Sequence, residues 1–307
     1  MRVALFIGLD PARTVEQARE AEALGFDGVA SGEHVFFHGP VGNCFITLAA
    51  AAGATSRVRL ISSLTVLPVY PAALAVKLAT TLDQVSGGRF DIGVGVGGEY
   101  PPEFAAVGID PAERGARTDE ALELARLLWA GGPVSFDGRF ATVPDLELQP
   151  GPVHAGGPPV WVGGRSPAAV RRAGRFADVW LPYMYTPEQL ARSLVDVREE
   201  AERAGRDPST VRGAILCWGA VGDDGAAARQ DAIRGAGDVY QQDFSRLADR
   251  YLLSGTPDDV VARAAEYSDA GADWLIFAPV AHSRSSVVPL FAADVLPHLQ
   301  RGTSMHR

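Results

Sequence analysis

Lysine and asparagine are almost missing from this 307-residue chain: Lys77 is the single lysine and Asn43 the single asparagine. Arg, Ala and Gly are abundant instead, a bias that follows GC-rich codon usage rather than structural need. Cysteine is nearly as scarce. Cys44 and Cys217 lie far apart without CxxC spacing, so neither a zinc site nor a disulfide framework is indicated, and no metal centre is expected. Two buried free thiols suit a reducing interior. Positive charge is also short, with 28 Lys and Arg against 37 Asp and Glu for a net charge of -9, and no basic run offsets it. That balance opposes a nucleic-acid partner. The N-terminal MRVALFIGLD has too short an apolar run for a signal peptide and no cleavage-site pattern. It reads as a first strand, so a cytoplasmic protein with no membrane partner is expected.

What is present is a regular alternation. At 47% hydrophobic the chain can bury a large core, and α/β barrels reach this length as one unit, so residues 1–307 are expected to form one domain. Strands are predicted at Val3–Gly8, Phe26–Ala30, Val58–Val66, Phe90–Val96, Pro159–Val162, Asp178–Leu181, Arg212–Val221 and Asp273–Pro279. Helices fall between them. Thr14, Pro111, Pro167, Pro187 and Thr256-Pro257 mark helix starts, and Gly25, Ser86-Gly87-Gly88 and Gly131-Gly132-Pro133 mark ends. Two stretches interrupt the alternation, about 134–158 after helix four, with a hairpin signal at Asp137-Gly138, and about 237–254 between strands seven and eight. Eight βα units favour a closed (β/α)8 TIM barrel. A doubly wound open sheet is the alternative, but no GxGxxG follows the first strand.

The stretch TTLDQVSGGRFDIGVGVGG (80–98) organises the rest. Leu74, Leu78, Leu82 and Val85 form an apolar stripe on the helix before it. In the strand that follows, Ile92, Val94 and Val96 share one face, while Gly93, Gly95 and Gly97 share the other. A bare glycine face means that a neighbouring side chain or a flat ligand approaches the backbone. A second candidate is Gly163-Gly164-Arg165-Ser166, between strand five and a helix starting at Pro167. Free amides, a hydroxyl and a guanidinium converge there, where a phosphate could dock; the alternative is an ordinary glycine-rich turn.

The run VRLISSLTVLPVYPAALAVKLATTLDQVSGGRFDIGVGVGG (58–98), together with PPVWVGGRSPAAVRRAGRFADVWLP (158–182) and Glu103, Arg114 and Trp129, resembles the luciferase-like monooxygenase superfamily. The resemblance implies a flavin, or the deazaflavin coenzyme F-420, across the C-terminal mouth of the barrel, with Gly95, Gly97, Gly98 and residues 163–166 among the cofactor-binding groups. It implies a non-prolyl cis peptide at Ser63-Leu64, with Ser62, Ser63 and Leu64 forming a bulge behind the cofactor's middle ring. In the deazaflavin branch strand two ends in Asp-His. Here the pair is Glu33-His34, a departure of Asp to Glu, and the resemblance makes His34 the active-site acid or base. A carboxylate beside an imidazole fixes its tautomer and favours proton transfer, which gives Glu33 its expected role. Glu103 or Glu99 is expected to orient the cofactor or a water.

These expectations describe an oxidoreductase that uses F-420 for hydride transfer with a small-molecule substrate. The alternatives are an FMN-dependent two-component monooxygenase of the bacterial luciferase type and a non-catalytic flavin-binding barrel. A separate flavin or deazaflavin reductase is the expected supplier of reduced cofactor; the oligomeric state is left open, although barrels of the type resembled often form homodimers through helices two and three, where Ala49 to Ala52 would allow close approach. Phe36, Phe37, Tyr100, Tyr183 and Tyr240 are candidates for pocket walls, with plain packing as the alternative, and are unranked among themselves.

Overall fold

A computed structural model describes residues 1–280 and 284–300. The chain begins with β1 (Arg2–Phe6), α1 (Thr14–Ala23), β2 (Gly28–Ser31), α2 (Cys44–Ala54) and β3 (Arg59–Ser62). A two-residue strand β4 (Thr65–Val66) leads into α3 (Ala72–Ser86), β5 (Phe90–Gly95), a short α4 (Pro102–Ala106) and α5 (Arg114–Trp129). An antiparallel hairpin of β6 (Pro133–Asp137) and β7 (Thr142–Glu147) follows, turning at the Asp137-Gly138 signal. The alternation resumes with β8 (Val160–Gly163), α6 (Pro167–Phe176), β9 (Val179–Leu181), α7 (Pro187–Arg203) and β10 (Arg212–Val221). The remaining elements are α8 (Gly225–Tyr240), α9 (Ala248–Tyr251), β11 (Leu253–Gly255), α10 (Pro257–Asp269), β12 (Ala272–Pro279), α11 (Arg284–Asp294) and α12 (Leu296–Gln300).

Among the described residues, β1, β2, β3, β5, β8, β9, β10 and β12 pair in that order, all parallel, and β12 returns to β1. This closes the expected (β/α)8 TIM barrel. Its strands are buried on both faces, as parallel strands between a packed interior and a helical shell must be, and Trp161, Trp180 and Phe90 are among the largest fully buried side chains. None of the described helices is long and apolar enough to cross a membrane.

Two sequence expectations need correction, and one helix packs in an unexpected way. Strand three is not continuous over Val58–Val66: β3 stops at Ser62, the Ser63-Leu64 peptide is cis, and β4 re-pairs with β5 beyond it. The second interruption begins later than 237, because α8 continues to Tyr240 and ends on Gln241 in the left-handed conformation. The stripe of α3 points the wrong way for a core: Leu82 is buried, but Leu74 and Val85 are exposed, and Ala75, Val76 and Ala79 face inward. Small side chains let this helix lie close to the barrel wall.

Candidate active site

Two elements meeting at the C-terminal end of the barrel build the floor of the site. After Ser62 the chain buckles through the cis Ser63-Leu64 peptide, which carries the Leu64 side chain across the neighbouring strands. A Cβ on Gly93 would overlap the Ser62 carbonyl oxygen, one on Gly163 would overlap Leu64, and one on Gly95 would lie 3.1 Å from it. The glycine face therefore receives the bulge itself, a neighbouring backbone and side chain rather than a flat ligand. Ser62 faces away from the opening and locks this arrangement, since its hydroxyl donates to the Gly93 carbonyl at 2.9 Å and accepts the Gly93 amide at 2.7 Å. Ser63 differs. Its buried hydroxyl has no hydrogen-bond partner, although Ser63 lines the cleft above the bulge.

That cleft has a volume of about 390 Å3 and is lined by Glu33, His34, Ser63, Leu64, Gly95, Gly97, Gly98, Gly163, Gly164, Arg165 and Ser166. One wall is the start of α6. Ser166 is its N-cap, accepting the Ala169 amide at 3.2 Å while its own proton stays free to donate, and Pro167 holds the first helical position. Gly164 has φ +101°, and a Cβ there would come within 2.9 Å of that of Ala169. Its carbonyl accepts the Trp180 indole N–H at 2.9 Å, which fixes the loop; with Pro167 lacking an N–H and the Ala169 amide capped by Ser166, Ala168 is the first-turn residue whose amide is left for an anion. Arg165 donates to the Met184 carbonyl at 3.0 Å and lies over the Tyr183 ring.

The opposite wall carries His34, half-buried at the end of β2. Glu33, its chain neighbour, is not its partner. Glu33 turns inward and its carboxylate accepts from the Asn43 amide at 2.7 Å, the Cys44 amide and thiol at 3.2 Å each, the Tyr70 hydroxyl at 2.8 Å and the Val66 amide at 3.0 Å. It ties β2, α2 and β4 together. Burial pushes its carboxyl above the ordinary value, against the pull of these donors. Glu103 takes the place expected of Glu33. Fully buried at the start of α4, it lies 3.2 Å from His34 Nδ1 through each carboxylate oxygen and accepts the Val35 amide at 3.1 Å. It does not line the cleft but stands behind the imidazole. With Nδ1 donating to Glu103, Nε2 is left as the acceptor facing the cavity. Phe37 stacks on the His34 ring with centroids 4.2 Å apart.

Glu99 lies on the same side, 3.9 Å from Nε2, and accepts a hydrogen bond from the Tyr183 hydroxyl. Tyr183 and Tyr240 stand in the cleft with Trp218, Phe6 and Arg114, whereas Tyr100 and Phe36 do not line it. Trp218 and Phe6 were not singled out in the sequence, because a strand-borne aromatic reads the same whether it faces a core or a cavity. Arg114 lies against Gly98 and donates to the Pro111 carbonyl at 2.7 Å. Trp129 is remote from the site, its indole donating to Thr80. Among the described residues no cluster of His, Cys, Asp or Glu is arranged to hold a metal ion.

The residues present suit a flat, phosphorylated cofactor. Ser63, at the cis bulge, lines the cleft with a buried hydroxyl that has no partner, and the N-terminus of α6, preceded by the positive-φ Gly164, lines the same cleft as His34. Comparisons with known proteins agree in fold and family. The chain is 35% identical to an uncharacterized protein of Mycobacterium tuberculosis over 176 residues, a match covering 57% of this chain and 60% of that relative. It is 27% identical to an F420-dependent glucose-6-phosphate dehydrogenase of Microbacterium testaceum, over 92% of this chain and 91% of the relative. The monooxygenase RslO1 of Streptomyces bottropensis superposes with a TM-score of 0.85 and 28% identity, covering 97% of this chain and 99% of that one. The family model of the luciferase-like monooxygenases matches residues 7–274, and this chain belongs to that family.

Proposed function

We propose that this protein is an oxidoreductase that uses coenzyme F-420 to transfer a hydride to or from the carbinol or carbonyl carbon of a small organic substrate. The observation that carries this reading is the His34–Glu103 pair: a cavity-facing Nε2 whose opposite nitrogen is held by a fully buried carboxylate. When bound, the deazaflavin supplies or accepts the hydride. The chain's residues do the rest. The Gly163–Ser166 loop and the N-terminus of α6 would hold the cofactor's phosphate, and Ser63 Oγ would supply a hydrogen-bond donor to its ring system. His34 Nε2 takes the hydroxyl proton as the substrate is oxidised, or returns it to the carbonyl oxygen in reduction. Glu103 fixes the ring orientation and steadies the imidazolium formed. The name of the Microbacterium testaceum relative supports the deazaflavin.

A second reading has its own support. The likeness to a monooxygenase at 28% identity favours reduced FMN reacting with oxygen, in which case the same cleft must exclude water. For the FMN reading, and for F-420 where the substrate is reduced, we infer that a separate reductase supplies the reduced cofactor. Absorption spectra after incubation with FMN, FAD and F-420 in turn, followed by desalting, separate the two. Retention of F-420 alone is the expected result; retention of FMN alone would replace the first reading by the second.

A further inference from the structure

A second cavity adjoins the cleft on the outside of the barrel. It runs between α6 and α7 with a volume of about 400 Å3, and Arg165 lines both it and the cleft, so the groove begins beside the loop assigned to the phosphate. Further along, the two helices touch. Gly174 permits this, since a Cβ there would lie 2.4 Å from that of Glu200. Three guanidinium groups and three carboxylates line the groove, equal in number but separated by bank. The α7 bank holds Asp196, Glu199 and Glu200, with Arg203 tied to Glu200 at 2.6 Å and to Glu199 at 3.1 Å. The α6 bank holds Arg165 and Arg171, and no carboxylate of its own lines it. Arg171 has no hydrogen-bond or ion-pair partner among the described residues, and Arg165 donates to the Met184 carbonyl, which leaves its charge unpaired.

We propose that this groove is a subsite for the part of the cofactor that lies beyond its phosphate, and that Arg165 and Arg171 hold carboxylates there. The inference rests on the F-420 reading above and deepens it. Past its phosphodiester F-420 continues into an amide-linked chain with a free carboxylate on each glutamate unit, whereas FMN ends at its phosphate and would leave the groove bare. The direction of the groove suits such a chain. With the phosphate on the loop before α6, the next anionic groups reach Arg165 at the shared edge and then Arg171 one and a half turns into the helix, while the carboxylates of α7 keep the chain on the α6 bank. Both arginines are exposed, so water and salt screen each contact, and the chain adds a few-fold in affinity rather than orders of magnitude.

The test is a fluorescence titration with F-420 and with the same molecule lacking its glutamates, on wild type and two variants. At low salt the wild type should bind the complete form about three- to tenfold more tightly, and this ratio should fall toward one as ionic strength rises to about 0.5 M. Arg171→Glu should abolish the preference. Asp196→Asn, which removes a negative charge from the opposite bank, should enlarge it. Both ligands share the ring and the phosphate, so damage to the phosphate loop cancels from the ratio. Equal affinities in the wild type, a preference that survives Arg171→Glu, or one that shrinks in Asp196→Asn each overturn the proposal while the F-420 reading stands. If neither form binds, the F-420 reading falls and the groove assignment falls with it.

Discussion

Glu33 and His34 are adjacent in sequence just beyond β2 and both touch the cleft, but the Glu33 carboxylate is taken up by donors of the packed wall, whereas the His34 ring is held from behind by Glu103. If His34 moves the substrate proton, His34→Ala should lower turnover roughly 100- to 10,000-fold while cofactor affinity stays within a few-fold. Parallel losses of cofactor affinity and melting temperature, with the bound fraction still turning over normally, would make the residue structural. Glu33 should behave in the reverse way. Glu33→Gln replaces an acceptor of five donors by a group with its own N–H bonds, so stability should fall by about 1–3 kcal/mol with turnover little changed. Its pH dependence has a definite sign. The folded-state pKa lies above the ordinary 4.5, so ionisation costs stability as pH rises from 4.5 through the folded value, and that cost is absent below it. Glutamine does not titrate, and the difference in Tm between wild type and variant should therefore narrow from about pH 4.5 to neutrality. A gap that widens would reverse the assignment. His34 was marked only through the family resemblance, since a Glu-His pair at a strand end reads by itself as a surface pair. Glu103 as its partner was not legible, because the two are 69 residues apart and nothing local in a buried Glu on a five-residue helix announces its target.

At the scale of elements, the strand–glycine–helix signals around Gly163–Ser166 were legible because Pro167 and Ser166 constrain the helix start by backbone chemistry alone. The expected consequence is testable there. Gly164→Asp puts a side chain on a residue at φ +101° against Ala169 and aims a carboxylate at the anion site. Affinity for F-420 should drop at least about tenfold, measured by fluorescence titration, and affinity for the dephosphorylated deazaflavin should drop far less. Equal losses for both would mean the loop had collapsed rather than lost its anion. The glycine face of β5 was legible as a close approach but not as to what approaches. The occupant comes from β3 and β4, and alternation within one strand carries no information about its neighbour's buckle.

At the scale of the molecule, the order of strands around the barrel followed from counting βα units, whereas the outer faces of the helices did not follow from periodicity. A stripe at three- and four-residue spacing says that one side of a helix is apolar, not that this side meets the barrel. In α3 the barrel side is small, and Leu74 and Val85 stand 48% and 60% exposed. The neighbouring α2 repeats the pattern. Ile46 is 70% exposed, with Ala49, Ala50 and Gly53 exposed along the same face, whereas Ala51 and Ala52 are buried. The two helices pack side by side, so their outward residues form one apolar face of small and branched side chains, the surface through which barrels of the type resembled often pair with a second copy. A two-fold pairing of this face with itself would bury these residues, and a stable dimer needs about 800 Å2 from each partner. Sedimentation equilibrium should give a dimer at micromolar concentration. The double variant Ile46→Asp, Leu74→Asp should give a monomer with wild-type circular dichroism, because each aspartate would otherwise be buried unpaired at the interface. A wild-type monomer at these concentrations, or a double variant that still dimerises, would remove α2 and α3 as the interface.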